Sequence, residues 1–100
     1  MKKLKKLLLV FDNRVRSDTT GLYFLWAAER NGIEVAHCYP EQLDQISPGT
    51  YDLHLKIDDG LLWHTQWNIN LTPNAYYCID THMPDAEWRH PVARKFDVTF

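Results

Sequence analysis

The sequence predicts an α/β fold with three layers: a Rossmann-like or flavodoxin-like open parallel sheet of four to five strands, with helices on both faces. Apolar runs that suit strands alternate along the whole chain with helical patterns, which is the order typical of a parallel sheet. The first apolar run is continuous, as in a strand buried on both faces. The length of 100 residues fits a single domain, residues 1–100.

The first strand and first helix are predicted from apolar spacing. The run that ends in LLLVF predicts a strand over Leu4–Phe11. A helix is expected over about Gly21–Asn31, because Leu22, Leu25 and Trp26 recur at the spacing of one helix face. The Asn-Gly pair that follows predicts the helix end, since glycine readily adopts the left-handed conformation found there.

The middle of the chain predicts two more strands around a short helix. Strands are expected over Ile33–Tyr39 and residues 51–58, and Pro40 suits the first position of about two helical turns. In the third strand, apolar residues alternate with Asp52, His54 and Lys56. This alternation predicts that one face of the third strand is less covered, as at a sheet edge or where a partner helix is lacking.

The last third predicts a fourth strand over Ala75–Asp80, a helix interrupted near Pro91, and a fifth strand that begins at DVTF. The strand order is left open between 2-1-3-4 and 3-2-1-4. The alternating third strand favours the second of these orders.

Composition excludes several classes of protein. The net charge of −2 and isoelectric point near 6.2 give no basic surface for nucleic acid. No apolar run approaches the ~20 residues of a membrane span, and the run after KKLKK is too short for a signal peptide. Cys38 and Cys78 form no CxxC motif, so we expect free thiols in a cytoplasmic protein.

Polar residues gather where the predicted strands end. In an open α/β sheet, ligands bind at the carboxyl ends of the strands. The residues in question are Asp12, Asn13, Arg14 and Arg16 after the first strand, Asp58, Asp59 and Gly60 after the third, and Asp80, Thr81 and His82 after the fourth.

Known phosphate and metal motifs do not fit these loops. The loop RSDTTG has one glycine and no following lysine, so neither a dinucleotide fingerprint nor a P-loop is present. It predicts a helix N-terminus capped by Asp18, Thr19 or Thr20, whose free N–H groups could also hold an anion or sugar hydroxyls. No histidine or cysteine pair has a recognised metal-ligand spacing, so we expect no metal and no cofactor.

Two interpretations of the remaining acids stay open at this point. Carboxylates at Asp12 and at Asp58 or Asp59, with Thr81, mimic a Mg²⁺-binding receiver domain, although Arg14 would compete with the metal. The segment DDGLLWHTQW instead combines acids with Trp63 and a second tryptophan, as a carbohydrate site requires. The same tryptophans could simply close one end of the sheet.

Four segments together resemble the N-terminal domain of bacterial GT-B glycosyltransferases, in particular the group related to spore-maturation glycosyltransferases. They are DNRVRSDTTGLYFLWAAERNGIEV, YDLHLKIDDGLLW, AYYCIDTH and RKFDVTF, which occur in this order over nearly the whole chain.

The resemblance implies an acceptor-side domain that faces a cleft, with a nucleotide-sugar and a sugar acceptor as partners in the intact enzyme. It implies catalytic-base candidates and substrate-binding residues, and no bound metal. The candidates are Asp58, Asp59, Asp80 and His82 for catalysis, and Arg16, Thr19, Thr20, Gly21, Gly60, Trp63 and Thr81 for substrate binding.

The donor-binding half of such an enzyme is absent, so we expect the chain to be inactive without a C-terminal domain or partner chain. Two alternative functions stay open. One is a small receiver-like or flavodoxin-like regulatory or interaction module, and the other is a scaffold that forms a homodimer through its last strand.

Overall fold

A computed structural model describes residues 4–12, 14, 20–57, 70–77 and 96–99 of the chain, with the backbone alone for the last two. Five strands form one parallel sheet: β1 (Lys6–Val10), β2 (Glu34–Cys38), β3 (Leu53–Ile57), β4 (Asn74–Tyr77) and β5 (Val98–Thr99). One α-helix, α1 (Thr20–Arg30), and a 3-10 helix (Pro40–Gln45) complete the described elements. The predicted α/β class with an open parallel sheet is confirmed.

The strand order is β2-β1-β3-β4-β5. Of the two orders considered, 2-1-3-4 is therefore correct, and the preference for 3-2-1-4 is wrong. β3 is not an edge strand, because it pairs with β1 on one side and with β4 on the other.

The two faces of the sheet are covered by different elements. Leu7, Leu9 and Phe11 face the side where α1 packs, and Leu8 and Val10 face the side of the 3-10 helix, where Leu43 is buried. Each of the five side chains from Leu7 to Phe11 is 5% exposed or less. The prediction of a first strand buried on both faces is confirmed.

The polar residues of β3 contradict the prediction of a less covered face. His54 is 0% exposed and Lys56 is 2% exposed. They are buried because β3 lies in the middle of the sheet, where the neighbours of His54 are Leu8 on β1 and Asn74 on β4. The imidazole Nδ1 lies 3.0 Å from the carbonyl oxygen of Pro73, which gives it a hydrogen-bond partner in this dry setting.

Helix α1 ends as the sequence predicts, one residue earlier than expected. Gly32 has a φ of 72°, in the left-handed region, and its N–H donates to the carbonyl of Glu29. The N–H of Ile33 donates to the carbonyl of Ala28. These two bonds are those of the Schellman motif, which satisfies carbonyls that the helix end leaves without partners.

The buried face of α1 differs from the prediction in one residue. Leu22 and Leu25 pack against the core, together with Phe24 and the buried Ala28. Trp26 instead is 52% exposed and forms an edge-to-face pair with the exposed Tyr23. The prediction that Trp26 shares the buried face with Leu22 is therefore wrong. Phe24 and Ala28 belong to that face instead.

The 3-10 helix confirms the prediction of a short helical segment with Pro40 at its start. The backbone N–H of Tyr39, just before the helix, donates to the side-chain oxygen of Gln42 at 2.9 Å. After the helix, Gly49 takes a φ of 87° in the turn that leads to β3. The sequence SPG predicts a turn here, because glycine adopts a positive φ without steric cost.

Side chains at the amino ends of β4 and β5 join the two strands. The Asn74 side-chain oxygen accepts the N–H of Asp97 at 2.7 Å, and the Asp97 carboxylate accepts the N–H of Asn74 at 3.2 Å. The Asn74 amide also donates to the carbonyl of Leu71, a residue that is 0% exposed in the core on the side of the 3-10 helix.

Among the described residues, no helix is both long and apolar enough to cross a membrane.

Candidate functional site

The strand order creates one place where a ligand crevice is expected. β1 pairs with β2 on one side and with β3 on the other, so the connection from β1 to β2 and the connection from β2 to β3 run in opposite directions along the sheet. In open α/β sheets, ligands bind at the carboxyl ends of the strands next to such a reversal. β1 ends at Val10 and β3 at Ile57, and because the two strands are parallel their carboxyl ends lie at the same edge of the sheet.

Most of the predicted site residues follow β1, β3 or β4 and lie outside the described residues. These are Arg16, Thr19, Asp58, Asp59, Gly60, Trp63, Asp80, Thr81 and His82. Thr20 and Gly21 are described, and they form the first turn of α1.

Gly21 has a packing function that the sequence did not reveal. Its Cα lies against the ring of Phe11, the residue after β1, so that a methyl group at this position would overlap the ring carbons. The absence of a side chain therefore lets the start of α1 lie close to the carboxyl end of β1. A ligand-binding function for Thr20 and Gly21 stays a prediction.

Asp12 and Arg14 form an ion pair directly after β1. The Asp12 carboxylate, 6% exposed as a residue, accepts the backbone N–H of Arg14 at 2.9 Å. It also accepts two bonds from the guanidinium, from Nε at 3.0 Å and from Nη2 at 2.6 Å. The predicted competition between Arg14 and a metal at Asp12 thus has a structural basis, because the arginine engages both carboxylate oxygens.

The same guanidinium reaches the next loop. Its Nη2 also bonds Glu41 on the 3-10 helix, and its centre lies 4.0 Å from the ring centroid of Tyr39. The bonds to Asp12 and Glu41 raise the pKa of Arg14. The pKa of Glu41 is lowered by its own backbone N–H and by Arg14. The charged forms of Arg14 and Glu41 are therefore favoured.

A stack of rings continues from this ion pair toward α1. Tyr39 meets the imidazole of His37 edge to face at 5.0 Å, and His37 stacks on Phe11 at 3.9 Å. The Nε2 atom of His37 lies 2.7 Å from the carbonyl oxygen of Phe11. We call the four residues Phe11, His37, Tyr39 and Arg14 the ring stack.

Sequence reasoning missed the ring stack. No pattern in the sequence pairs His37 with Phe11. The alternation of β2 gives a weak signal, since Val35 and His37 fall on the same side as the buried Leu9 in the register of the two strands.

Cys38, at the end of β2, is a buried free cysteine. Burial raises the pKa of its thiol to about 11 from the ordinary 9.0, with a further contribution from the charge of Glu41 and an opposing one from Lys56. The thiol is therefore a poor nucleophile at neutral pH.

The raised pKa of Cys38 predicts a pH dependence of stability. Between pH 9 and 11 the folded thiol keeps its proton while the unfolded thiol loses it, so stability falls as pH rises through this range. Urea denaturation of the protein and of Cys38→Ala between pH 7 and 11 measures it. We expect the difference between the two curves to shrink with rising pH; a constant difference would contradict the assignment.

A concavity lies at the amino ends of the strands, opposite the expected ligand crevice. It has a volume of about 450 Å³ and is lined by Leu4, Gly49, Tyr51, Asp52, Leu53, Thr72 and Pro73, at the amino ends of β1, β3 and β4. The Asp52 carboxylate accepts the backbone N–H groups of Lys5 and Lys6 at 3.0 and 2.9 Å. This edge is not where ligands of open α/β sheets bind.

Within the described part of the chain, no group of three or more histidine, cysteine or acidic residues is arranged to hold a metal ion.

The strand order defines an α/β protein with a Rossmann-like open parallel sheet and a topological switch point at the carboxyl ends of β1 and β3. Comparison with protein-family models, with curated proteins and with solved structures finds no significant match.

Proposed function

We propose that the chain is the acceptor-side domain of a glycosyltransferase, which transfers a sugar from a nucleotide-sugar to an acceptor hydroxyl. The observation that carries the proposal is the switch point between β1 and β3, because one segment with glycosyltransferase resemblance begins just after β1 and a second runs through β3 into the residues that follow it. DNRVRSDTTG follows β1, and DDG follows β3. In this topology, ligands bind between such loops.

Under this proposal the roles follow the resemblance. Asp58, Asp59, Asp80 or His82 supplies the base that takes the proton of the acceptor hydroxyl. Thr19, Thr20, Gly21, Gly60, Trp63, Thr81 and Arg16 line the acceptor site. The donor site belongs to a C-terminal domain or a partner chain, and the isolated chain transfers no sugar. The free buried thiol of Cys38 suits a reducing compartment, so we place the protein in the cytoplasm.

One observation favours a second function. The order 2-1-3-4-5 is that of flavodoxin-like and receiver domains. A receiver would bind Mg²⁺ through Asp12, but the bonds from Arg14 to both oxygens of that carboxylate oppose this. We therefore rank a regulatory module behind the glycosyltransferase domain.

The test is a ¹H–¹⁵N NMR titration of the chain with simple glycosides, with sugar nucleotides, and with Mg²⁺ plus a small phosphoryl donor. We expect glycosides to shift the amides of Thr20 and Gly21 and of the DDG and DTH segments. Asp59→Asn should weaken this binding, whereas Asp44→Asn, at an exposed position on the 3-10 helix, should leave it unchanged.

Shifts at Asp12 with Mg²⁺ alone, without any response to glycosides, would favour the receiver-like module instead. Concentration-dependent dimerisation with no ligand response would favour the scaffold.

A further inference from the structure

We propose that His37 is a ligand-binding residue whose Nδ1 atom accepts a hydrogen bond from a hydroxyl of the sugar acceptor. The inference rests on the proposed function, which supplies the class of ligand. It assigns a binding contact to a strand, β2, that contributes none of the residues predicted from sequence.

The hydrogen bond to Phe11 determines which nitrogen carries the proton. The carbonyl oxygen of Phe11, 2.7 Å from Nε2, can only accept, so Nε2 must be the donor. In the neutral imidazole, the lone pair then lies on Nδ1. Within the described part of the chain, Nδ1 has no hydrogen-bond partner.

The ring is also held in orientation on two sides. Phe11 stacks on it at 3.9 Å with an angle of 19° between the ring planes, and Tyr39 meets it edge to face. An imidazole that is fixed by one nitrogen and by its neighbours, with the other nitrogen unused, has the arrangement of a pre-organised acceptor of hydrogen bonds. His37 is only partly buried, so part of its side chain is open to solvent or a ligand.

The position of His37 fits a ligand at the carboxyl edge. It is the penultimate residue of β2, and only the Phe11 ring separates it from the first turn of α1, which carries Thr20 and Gly21. His54 provides the contrast. It is completely buried and at the amino half of β3, away from this edge.

Two variants of His37 and one control distinguish the contributions of its two ring nitrogens. His37→Gln keeps an N–H donor at the position of Nε2 for the Phe11 carbonyl but lacks the Nδ1 acceptor. His37→Ala removes both functions. Glu34→Gln, at the exposed start of the same strand, is the matched control.

The experiment combines histidine-detected ¹H–¹⁵N NMR with titrations of methyl glycosides. In the free protein we expect His37 to carry its proton on Nε2, with His54 as an internal reference. Glycoside addition should shift the Nδ1 resonance of His37. His37→Gln should weaken binding roughly fivefold to tenfold, the effect of losing one neutral hydrogen bond, and should lower the Tm only as far as the lost ring contacts with Phe11 and Tyr39 require. His37→Ala should weaken binding equally and also lower the Tm, and Glu34→Gln should do neither.

Several outcomes would overturn the inference. A proton on Nδ1 in the free protein, or equal binding by His37→Gln and the unchanged protein, would do so. If glycosides shift the amides of Thr20 and Gly21 but not the His37 nitrogens, this inference fails and the proposed function stands. If no methyl glycoside binds, both fail.

Discussion

Gly21→Ala is expected to destabilise the protein, although alanine is the better helix former. The gain in helix propensity is about 0.5–1 kcal/mol. Against it stands the overlap of the new methyl group with the Phe11 ring, in a core where extra methylene-sized groups typically cost about 1–3 kcal/mol. The overlap should win, because the atoms in the way belong to a rigid ring that is itself stacked on His37.

Thermal unfolding monitored by circular dichroism measures this effect. Each 1 kcal/mol lost should lower the Tm by roughly 4–8 °C in a domain of this size. A smaller side chain at position 11 should relieve the overlap, so Phe11→Leu and Gly21→Ala together should cost less than the sum of the two single changes. An unchanged or higher Tm for Gly21→Ala would show that α1 does not lie against the end of β1.

Leu71→Ala should be among the most damaging single substitutions in the described part of the chain. Leu71 is 0% exposed and packs in the cluster that contains Leu8, Val10 and Leu43. Removing a fully buried leucine side chain costs about 2–5 kcal/mol, since transfer free energy is lost and a cavity is left.

The matched control for Leu71 is its neighbour in sequence. Thr72→Ala changes an exposed residue, and exposed changes of this kind usually stay within about 0.5 kcal/mol. Urea denaturation of both variants gives the comparison. Equal midpoints would mean that this segment does not pack under the sheet.

Leu71 also shows what the sequence could not supply. It lies between the predicted third and fourth strands, where no periodicity marks a core residue. It is buried because the Asn74 amide bonds its carbonyl and because β4 brings the segment under the face of β1. Contacts of this kind depend on strand order, which local patterns do not determine.

The polar residues of β3 are a second case in which a local sequence pattern did not predict burial. Alternation of His54 and Lys56 with leucines is the usual mark of a face open to solvent. Here the central position of the strand overrides it, and the carbonyl of Pro73 lies within hydrogen-bond distance of Nδ1 of His54, while the buried Nε2 has no hydrogen-bond partner among the residues that the structure describes. By contrast, β1 was predicted correctly, since a continuous apolar run has no alternative to burial on both faces.

One part of the candidate site could be predicted from the sequence and another part could not. That polar loops follow the strand ends is visible in the sequence, because it needs only the alternation of strands and helices. The ring stack is not visible, because Phe11 and His37 meet only in the register that pairs Leu9 with His37.

The strand order β2-β1-β3-β4-β5 has a consequence for folding during synthesis. Once β2 has left the ribosome it can pair with β1, whose partner residues lie only 28 positions away, as Lys6 and Glu34 do. From then on, β3, β4 and β5 each add in turn to the one growing edge, and none has to insert between strands already paired. The sheet can therefore be built in the order in which its strands are translated.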